Sequence, residues 1–281
     1  MTQPVQARVA TCDPVWAQLR EEAIAVVAGE PMLASLLHAT VLNHDRFEQA
    51  LSYHLSQMLG SLDMRPMLLR QVIDEALAAD PEIGAAIRAD IVAVHERDPA
   101  CDAYLTPFLY FKGFHALEAY RVGHWLWTHD RRPLALFMQH RISAVLGVDI
   151  HPAARLGRGI MIDHGTGVVI GETALVENDV SILHGVTLGG TGKETGDRHP
   201  KVREGAMIGA GAGVFGNIEV GHGARIAAGS VVLQPVPPCT TVAGVPARVV
   251  GKAGCDKPAR EMDQLLAIDD GAFMGAGGTG R

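Results

Sequence analysis

Cysteine is scarce in this sequence and follows no pattern. The four present, Cys12, Cys101, Cys239 and Cys255, are scattered without CxxC spacing, which argues against a thiolate zinc site and against a disulfide framework. Reduced, buried or incidental thiols are expected. Excess positive charge is also missing: the net charge is −7 and the pI near 6.0, whereas a nucleic-acid partner would require clustered Lys and Arg to displace counterions. A small-molecule partner is expected instead. The start, MTQPVQARVATCDPVW, has no basic residues followed by an apolar run, and no uncharged apolar stretch elsewhere is long enough to span a bilayer. No membrane attachment and a cytoplasmic location are the resulting expectations.

Glycine is sparse only in the first half. From about Asp13 to Leu146 the apolar residues recur at helical spacing, with Ala, Leu, Glu and Arg abundant, which predicts a bundle of helices. Glu30-Pro31, Asp80-Pro81 and Asp98-Pro99 mark boundaries, because the residue before proline leaves the helical region and proline suits a first helical turn. The aromatic group Phe108, Tyr110, Phe111, Phe114, Tyr120, Trp125 and Trp127 is expected in a core or a subunit contact. After Gly147 glycine becomes frequent and Val and Ile dominate the apolar set. For 281 residues, 48% of them hydrophobic, two domains are expected.

A six-residue rhythm organises this second half. Ile150, Leu156, Ile162 and Val168 are followed by the small Ala174, then Val180 and Val186; the ladder resumes at Val202 and continues through Ile208, Val214, Val220, Ile226 and Val232. Neither a helix nor a period-2 strand sustains that spacing, whereas a hexapeptide parallel β-helix does, with the aliphatic residue of each hexad stacked inside a triangular coil. Gly157, Gly209 and Gly221 are expected at corners that need positive φ. Val186 and Val202 are sixteen apart, not a multiple of six, so the polar LGGTGKETGDRHPK segment must leave the coil as a loop; it ends in Asp197, Arg198 and His199. Loops on rigid scaffolds often carry function.

DPACDAYLTPFLYFKGFHALEAYRVGHWLW, VDIHPAARLGRGIMIDHGTGVVIGETALVENDVSIL, TLGGTGKETGDRHPKVREGAMIGAGAGVFGNIEVG and VVLQPVPPCTTVAGVPARVVGK together resemble the serine acetyltransferase family, over about Pro31 to Lys252. Hexads alone specify only the wider acyltransferase superfamily; DHGTG, GDRHPK and the helical DPA segment are more specific. The fold expected is α+β: an all-α helical domain at 1–146 that contributes to oligomerisation and to the active site, a left-handed parallel β-helix at 147–252, and a flexible C-terminal tail at 253–281. The resemblance implies a trimer of β-helices with active sites between neighbouring subunits, two trimers pairing through the helical domains into a hexamer.

Moving an acetyl group from acetyl-CoA to L-serine, in cysteine biosynthesis, needs a general base because the serine hydroxyl is a weak nucleophile at neutral pH. His164, in Asp163-His164-Gly165, is the candidate. The resemblance assigns Asp149 to orient the imidazole, by the logic of a catalytic triad. Arg198 suits the substrate carboxylate through its two parallel donors; the family pattern gives Asp98 and Asp163 to the amino group and His199 to the amino acid. Asp98 can equally be an ordinary helix N-terminal residue before Pro99. The resemblance places acetyl-CoA along the β-helix edge beside Gly190, Ala210 and Ala228, with Arg225 near its phosphates, and backbone N–H groups would stabilise the oxyanion. Direct transfer is expected, with a ping-pong route as alternative, and no metal is expected. His184 reads as a corner residue or cleft wall.

Rival readings are a hexapeptide acyltransferase for another acceptor, a zinc hydratase using His164, His184 and His199, and a non-catalytic scaffold. L-cysteine, which matches serine at the carboxylate and amine, is expected to inhibit by competition. The family's complex with O-acetylserine sulfhydrylase uses a C-terminal isoleucine, and this chain ends in Gly280-Arg281, which puts that partner in doubt.

Overall fold

The computed structural model describes residues 13–192, 195–254 and 257–264. Cys12, Cys255, most of the expected tail and its Gly280-Arg281 end lie outside the described residues. The helical half comprises α1 (Pro14–Gly29), α2 (Ala34–Leu37), α3 (Phe47–Leu59), α4 (Pro66–Ala79), α5 (Pro81–Arg97), α6 (Leu105–Tyr110), α7 (Lys112–Thr128) and α8 (Arg132–Leu146), with a 3₁₀ turn at Pro31–Leu33 and a π turn at His38–Leu42 flanking α2. Their starts follow local chemistry. Asp13 caps α1 by accepting from Trp16 N, Asp80 caps α5 by accepting from Glu82 N, and a proline opens each helix, where its missing N–H costs no hydrogen bond. Asp98-Pro99 behaves differently from the sequence expectation. Asp98 is the C-cap of α5, and its side chain accepts from Ala100 N at 2.8 Å; Pro99 lies in a turn, and the next helix opens only at Leu105.

Gly147 ends α8 with φ of 69°, donating its N–H to Ser143 O. A left-handed residue there closes the helix and turns the chain into the first strand. Parallel strands then wind into three sheets. The first holds β1 (Val148–Ile150), β4 (Val168–Ile170), β7 (Thr187–Gly189), β10 (Gly213–Phe215) and β13 (Val231–Val232). The second holds β2 (Arg155–Leu156), β5 (Leu175–Val176), β8 (Lys201–Val202) and β11 (Glu219–Val220). In the third lie β3 (Met161–Ile162), β6 (Ser181–Ile182), β9 (Met207–Ile208), β12 (Arg225–Ile226) and β14 (Thr240–Gly244), closed by the antiparallel β15 (Ala247–Lys252).

The hexad ladder is the column inside these coils. Ile150, Ile162, Val168, Ala174, Val180, Val186, Val202, Ile208, Val214, Val220, Ile226 and Val232 are all buried, and Leu156, in the first coil, is partly covered. Burying each Val or Ile stabilises the coil by about 1.5–3 kcal/mol. Gly157, Gly209 and Gly221 correct one expectation: none has positive φ. They are glycine because coils stack on them, and a β-carbon would fall 2.4 Å from Asn178 Oδ1, 2.6 Å from Ala228 N and 2.5 Å from Pro238 N, respectively.

The helical half is joined to the coils by a buried polar cluster. Arg121 of α7 donates to both Asp90 of α5 and Gly157 O (2.8 Å), and Ile160 N donates to Asp90 Oδ1 at 2.8 Å. Tyr120 donates its hydroxyl proton to Ala154 O. Phe108, Phe114, Tyr120 and Trp125 lie in the core as expected, while Tyr110 is exposed.

Residues 257–264 differ from the flexible tail expected from residue 253 onward. The short helix α9 (Pro258–Glu261) lies on the third sheet with Pro258 and Ala259 buried. Ala259 N donates to Gly205 O, and Ala259 O accepts from Ser181 Oγ at 2.8 Å. Together with α5, which packs on β3, and with β15, this segment covers the outward row Met161, Ser181, Met207, Arg225 and Thr241, which is buried throughout.

Candidate active site

Two clusters of polar side chains stand at the two ends of β4. The first is the turn between β3 and β4. Residues stacked across the third sheet are twenty apart, as Met161 and Ser181, yet across the first sheet they are eighteen apart, as Val169 and Thr187. The turn at 163–167 is therefore two residues longer than the one above it. Those extra residues swing His164 outward. Its side chain is 72% exposed, its φ is 55°, and Gly165 and Gly167 are left-handed beside it. Asp163 Oδ1 lies 3.8 Å from His164 Nε2, and the His184 ring meets the His164 ring edge to face at 5.6 Å.

Along the same edge the column continues upward from His184. His184 O accepts from Gly211 N and Ala210 O accepts from Gly229 N, so His184, Ala210 and Ala228 follow one another at successive corners. This leaves a smooth strip above the histidines. The helical half closes the lower end, with Lys112 Nζ donating to Thr166 Oγ1 and Gly113 against Ile162 O. Asp98 ends α5, which packs on β3 close to this turn.

Asp149 occupies the outward position of β1 between buried Val148 and Ile150, paired with Val169 of β4. Gln139 Nε2 of α8 donates to its Oδ1 at 2.7 Å. Among the described residues that carboxylate is held by Gln139 and not by His164.

The second cluster follows β4, where the loop between β7 and β8 returns. Arg198 Nη2 pairs with Glu172 Oε2 at 2.8 Å, and the Arg198 guanidinium holds the Glu172 carboxyl below the usual range. Thr173 organises the loop end: its hydroxyl accepts from Arg198 N (3.0 Å) and His199 N (3.2 Å), which leaves its proton for His199 Nδ1 at 2.8 Å. Thr173 N also donates to Nδ1. Nδ1 is thus an acceptor, so the neutral ring carries its proton on Nε2. Burial, then the Arg198 charge, lowers the His199 pKa and keeps the ring neutral. Gly190 packs at the loop base, where a β-carbon would meet Arg198 Cγ at 3.3 Å. Asp197 is tied to Lys201 at 2.5 Å.

Of the residues expected at the site, Asp163, His164, Ala210 and Ala228 share one edge, while Gly190, Arg198 and His199 share the other. Arg225 joins neither. It points outward from the third sheet and is buried there, donating Nε to Thr241 Oγ1 (3.2 Å) and Nη1 to Asp263 O (2.9 Å). Against the expectation that Arg225 stands near the cofactor phosphates, its guanidinium in this chain lies under residues 257–264, away from the edge formed by Ala210 and Ala228. The three-histidine arrangement is also not assembled within one chain, because His199 stands across β4 from His164 and His184; among the described residues no cluster is built to hold a metal ion.

Sequence reasoning missed Glu172, Thr173, Gln139, Lys112 and Gly113. Glu172 and Thr173 had a legible signal, since the loop that interrupts the hexads must be received by the corner of the coil beneath it. Gln139, Lys112 and Gly113 depend on how helices dock, which no period encodes.

Residues 15–119 match the family described as serine acetyltransferase, N-terminal. Over 250 residues the chain is 63% identical to the serine acetyltransferase of Salmonella typhimurium, covering 89% of this chain and 92% of that one. Among solved structures, the Vibrio cholerae serine acetyltransferase superposes with a TM-score of 0.89 at 60% identity, covering 90% and 98% of the two chains. A serine acetyltransferase in complex with cysteine gives 0.88 at 55% identity, covering 90% and 98%. The Brucella abortus serine acetyltransferase in complex with coenzyme A gives 0.86 at 51%, covering 89% and 100%.

Proposed function

The chain belongs to the serine acetyltransferase family, and from that premise we propose that it transfers acetyl from acetyl-CoA to the hydroxyl of L-serine, with His164 as general base, giving O-acetyl-L-serine and CoA. The observation that carries the base assignment is the lengthened left-handed turn that lifts an exposed imidazole out of the coil at the head of the strip formed by Ala210 and Ala228. On this reading the imidazole takes the serine hydroxyl proton as the oxygen attacks the thioester carbonyl. The tetrahedral intermediate then expels the CoA sulfur, which receives that proton from the imidazolium. Asp149 orients the ring and stabilises its cationic form, with Oδ1 held by Gln139 and Oδ2 offered to the imidazole. Arg198 receives the serine carboxylate, Asp98 and Asp163 the ammonium, and His199 offers Nε2–H. The pantetheine arm runs along the small residues Gly190, Ala210 and Ala228.

The separation of the clusters supports a site shared between copies. In one chain the base and the carboxylate receptor stand at opposite ends of β4, so a substrate touching both draws His164 from one copy and Arg198 with His199 from a neighbour. A trimer of β-helices meets that need. Met32 (92% exposed), Leu62 (97%) and Met67 (68%) are large apolar side chains left exposed on the helical half, which supports pairing of trimers into a hexamer. L-cysteine, which complexes with a related enzyme, uses the same carboxylate and amine contacts and competes with serine. The pathway served is cysteine biosynthesis, and the chain works in the cytoplasm; among the described residues no helix is long and apolar enough to cross a membrane.

The test follows thiol release from acetyl-CoA with and without L-serine in the parent and in His164→Ala of equal assembly. Serine-dependent turnover that falls by about 10²-fold or more supports the base assignment. Release that requires another acceptor removes the substrate assignment, and an unimpaired variant removes the base.

A further inference from the structure

We propose that the first turn of α7 is the positioning element for His164, with Lys112 and Gly113 setting the imidazole by gripping the far side of its turn. The inference rests on the reading of His164 as the base.

A turn of this shape needs external support. His164 is a non-glycine residue at φ 55°, followed by Gly165 at 74° and Gly167 at 76°. A left-handed conformation is disfavoured for a residue with a β-carbon and persists only where the surroundings enforce it. The turn carries two residues more than the corner stacked above it, so the coil repeat by itself does not define its path.

The support comes from the helical half. Gly113 presses on the residue where the turn begins: a β-carbon at 113 would fall 2.0 Å from Ile162 O. Gly165 meets it from the other side, since a β-carbon at 165 would lie 3.1 Å from Gly113 Cα. The two backbones therefore pack closely on each other at the residue that follows His164. Lys112 reaches past this contact and donates to Thr166 Oγ1. Thr166 O in turn accepts from Gly185 N of the next coil at 2.8 Å. Thr166 is thus held between α7 and the coil above, two residues from the imidazole.

The grip has a fixed base. About two helical turns further along α7, Tyr120 and Arg121 bind Ala154 O and Gly157 O of the first coil, and Phe114 is buried between. Because α7 cannot slide on the coil, Lys112 and Gly113 hold a set position against the turn. Neither touches the place where the thioester would react, so their effect passes through the placement of His164. Misplacement of a reacting group by an ångström costs up to about 10²-fold in rate.

The experiment uses the full chain and three variants, Lys112→Met, Thr166→Val and the double variant. If the lysine–threonine bond sets the turn, each single variant lowers kcat by about tenfold or more while KM for serine and acetyl-CoA stays within about twofold. The double variant then falls no further than either single one, because both remove the same interaction. Lys112→Arg, which keeps a donor, recovers most of kcat. Unchanged kcat in both single variants overturns the proposal, and so do losses that multiply in the double variant or that appear in KM alone. His164→Ala, measured alongside, reports separately on the base: an active His164→Ala enzyme removes the underlying reading whatever the Lys112 variants do.

Discussion

The imidazole of His199 fills the space that a side chain at Gly171 would need: a β-carbon at 171 would fall 2.1 Å from its Nε2. The ring lies directly on the backbone of the coil beneath it, and the left-handed region plays no part, since Gly171 does not have positive φ. Gly171→Ala should leave the coil wound, because the added methyl points at a loop residue and not into the aliphatic column. It should lift His199 and pull the adjacent Arg198 from Glu172. The expected result is a rise of about tenfold or more in KM for serine, equivalent to about 1.4 kcal/mol of binding, with KM for acetyl-CoA changed far less. Initial rates against each substrate check this.

Thr173 provides a second handle on the same loop end. Its hydroxyl accepts from two backbone N–H groups and donates to His199 Nδ1. Thr173→Val keeps the shape and leaves those donors without their acceptor, a loss of about 1–3 kcal/mol; Thr173→Ser keeps all three bonds. Thermal unfolding should separate the two variants. The pH dependence follows from the lowered pKa of His199. A neutral ring favoured in the folded chain contributes fully above the ordinary imidazole pKa, and that contribution is lost as pH falls through the folded value. Serine affinity in the parent should weaken in that acid window, because a proton on Nδ1 would face the Thr173 N–H, and the dependence should persist in Thr173→Val, which keeps that backbone donor.

The pair of carboxyls at Asp90 and Glu118 gives a prediction of opposite sign. Both are fully buried, and Arg121 lies 3.2 Å from Glu118 while bonded to Asp90. Asp90 receives donors from Arg121 and Ile160, whereas neither Glu118 oxygen has a hydrogen-bond donor among the described residues. Asp90 therefore keeps the charge. Glu118 is pushed well above the usual range, first by burial and then by the Asp90 charge. A carboxyl that binds its proton more tightly when folded stabilises the fold least at high pH: stability falls as pH rises from the unfolded value through the folded one. Glu118→Gln, neutral at every pH, should remove that decline and be more stable than the parent under alkaline conditions. Arg121→Met should instead destabilise by about 3–5 kcal/mol, because it strands buried charge. Denaturant unfolding across pH measures both.

These examples mark how far the sequence could be read. The ladder from Ile150 to Val232 was legible because a coil demands one inward aliphatic residue per side, and the period is visible without coordinates. His164 was singled out through the family resemblance, and Arg198 and His199 as the polar end of the loop that interrupts the hexads. Their separation across β4 was not legible, since it depends on the path of the coil and not on spacing. The glycines show the same limit: Gly157, Gly209 and Gly221 were rightly seen at corners, but the reason for glycine is close stacking and not φ, and only the neighbouring coil reveals it. Asp98 was read as preceding a helix because a proline follows it, although proline equally suits the turn that it occupies.

The family resemblance put Arg225 near the cofactor phosphates, whereas its contacts within this chain are with Thr241 and with the segment that covers the third sheet. Its register with Met207 and Thr241 puts it in the outward row of the third sheet, under residues 257–264. A guanidinium bound to Thr241 Oγ1 and Asp263 O is part of what holds that segment down, together with Ser181, which accepts from Arg97 Nη1 at 3.1 Å and donates to Ala259 O. Arg225→Met should therefore expose the segment: limited proteolysis should cut within 257–264 faster than in the parent, and Ser181→Ala, which leaves Arg225 intact, should do the same. KM for acetyl-CoA in Arg225→Met should stay within about twofold, as no transition-state or ground-state contact is lost. A rise of about tenfold or more in that KM with the segment still protected would return Arg225 to the cofactor, because only a direct phosphate contact loses affinity without loosening the chain that covers it.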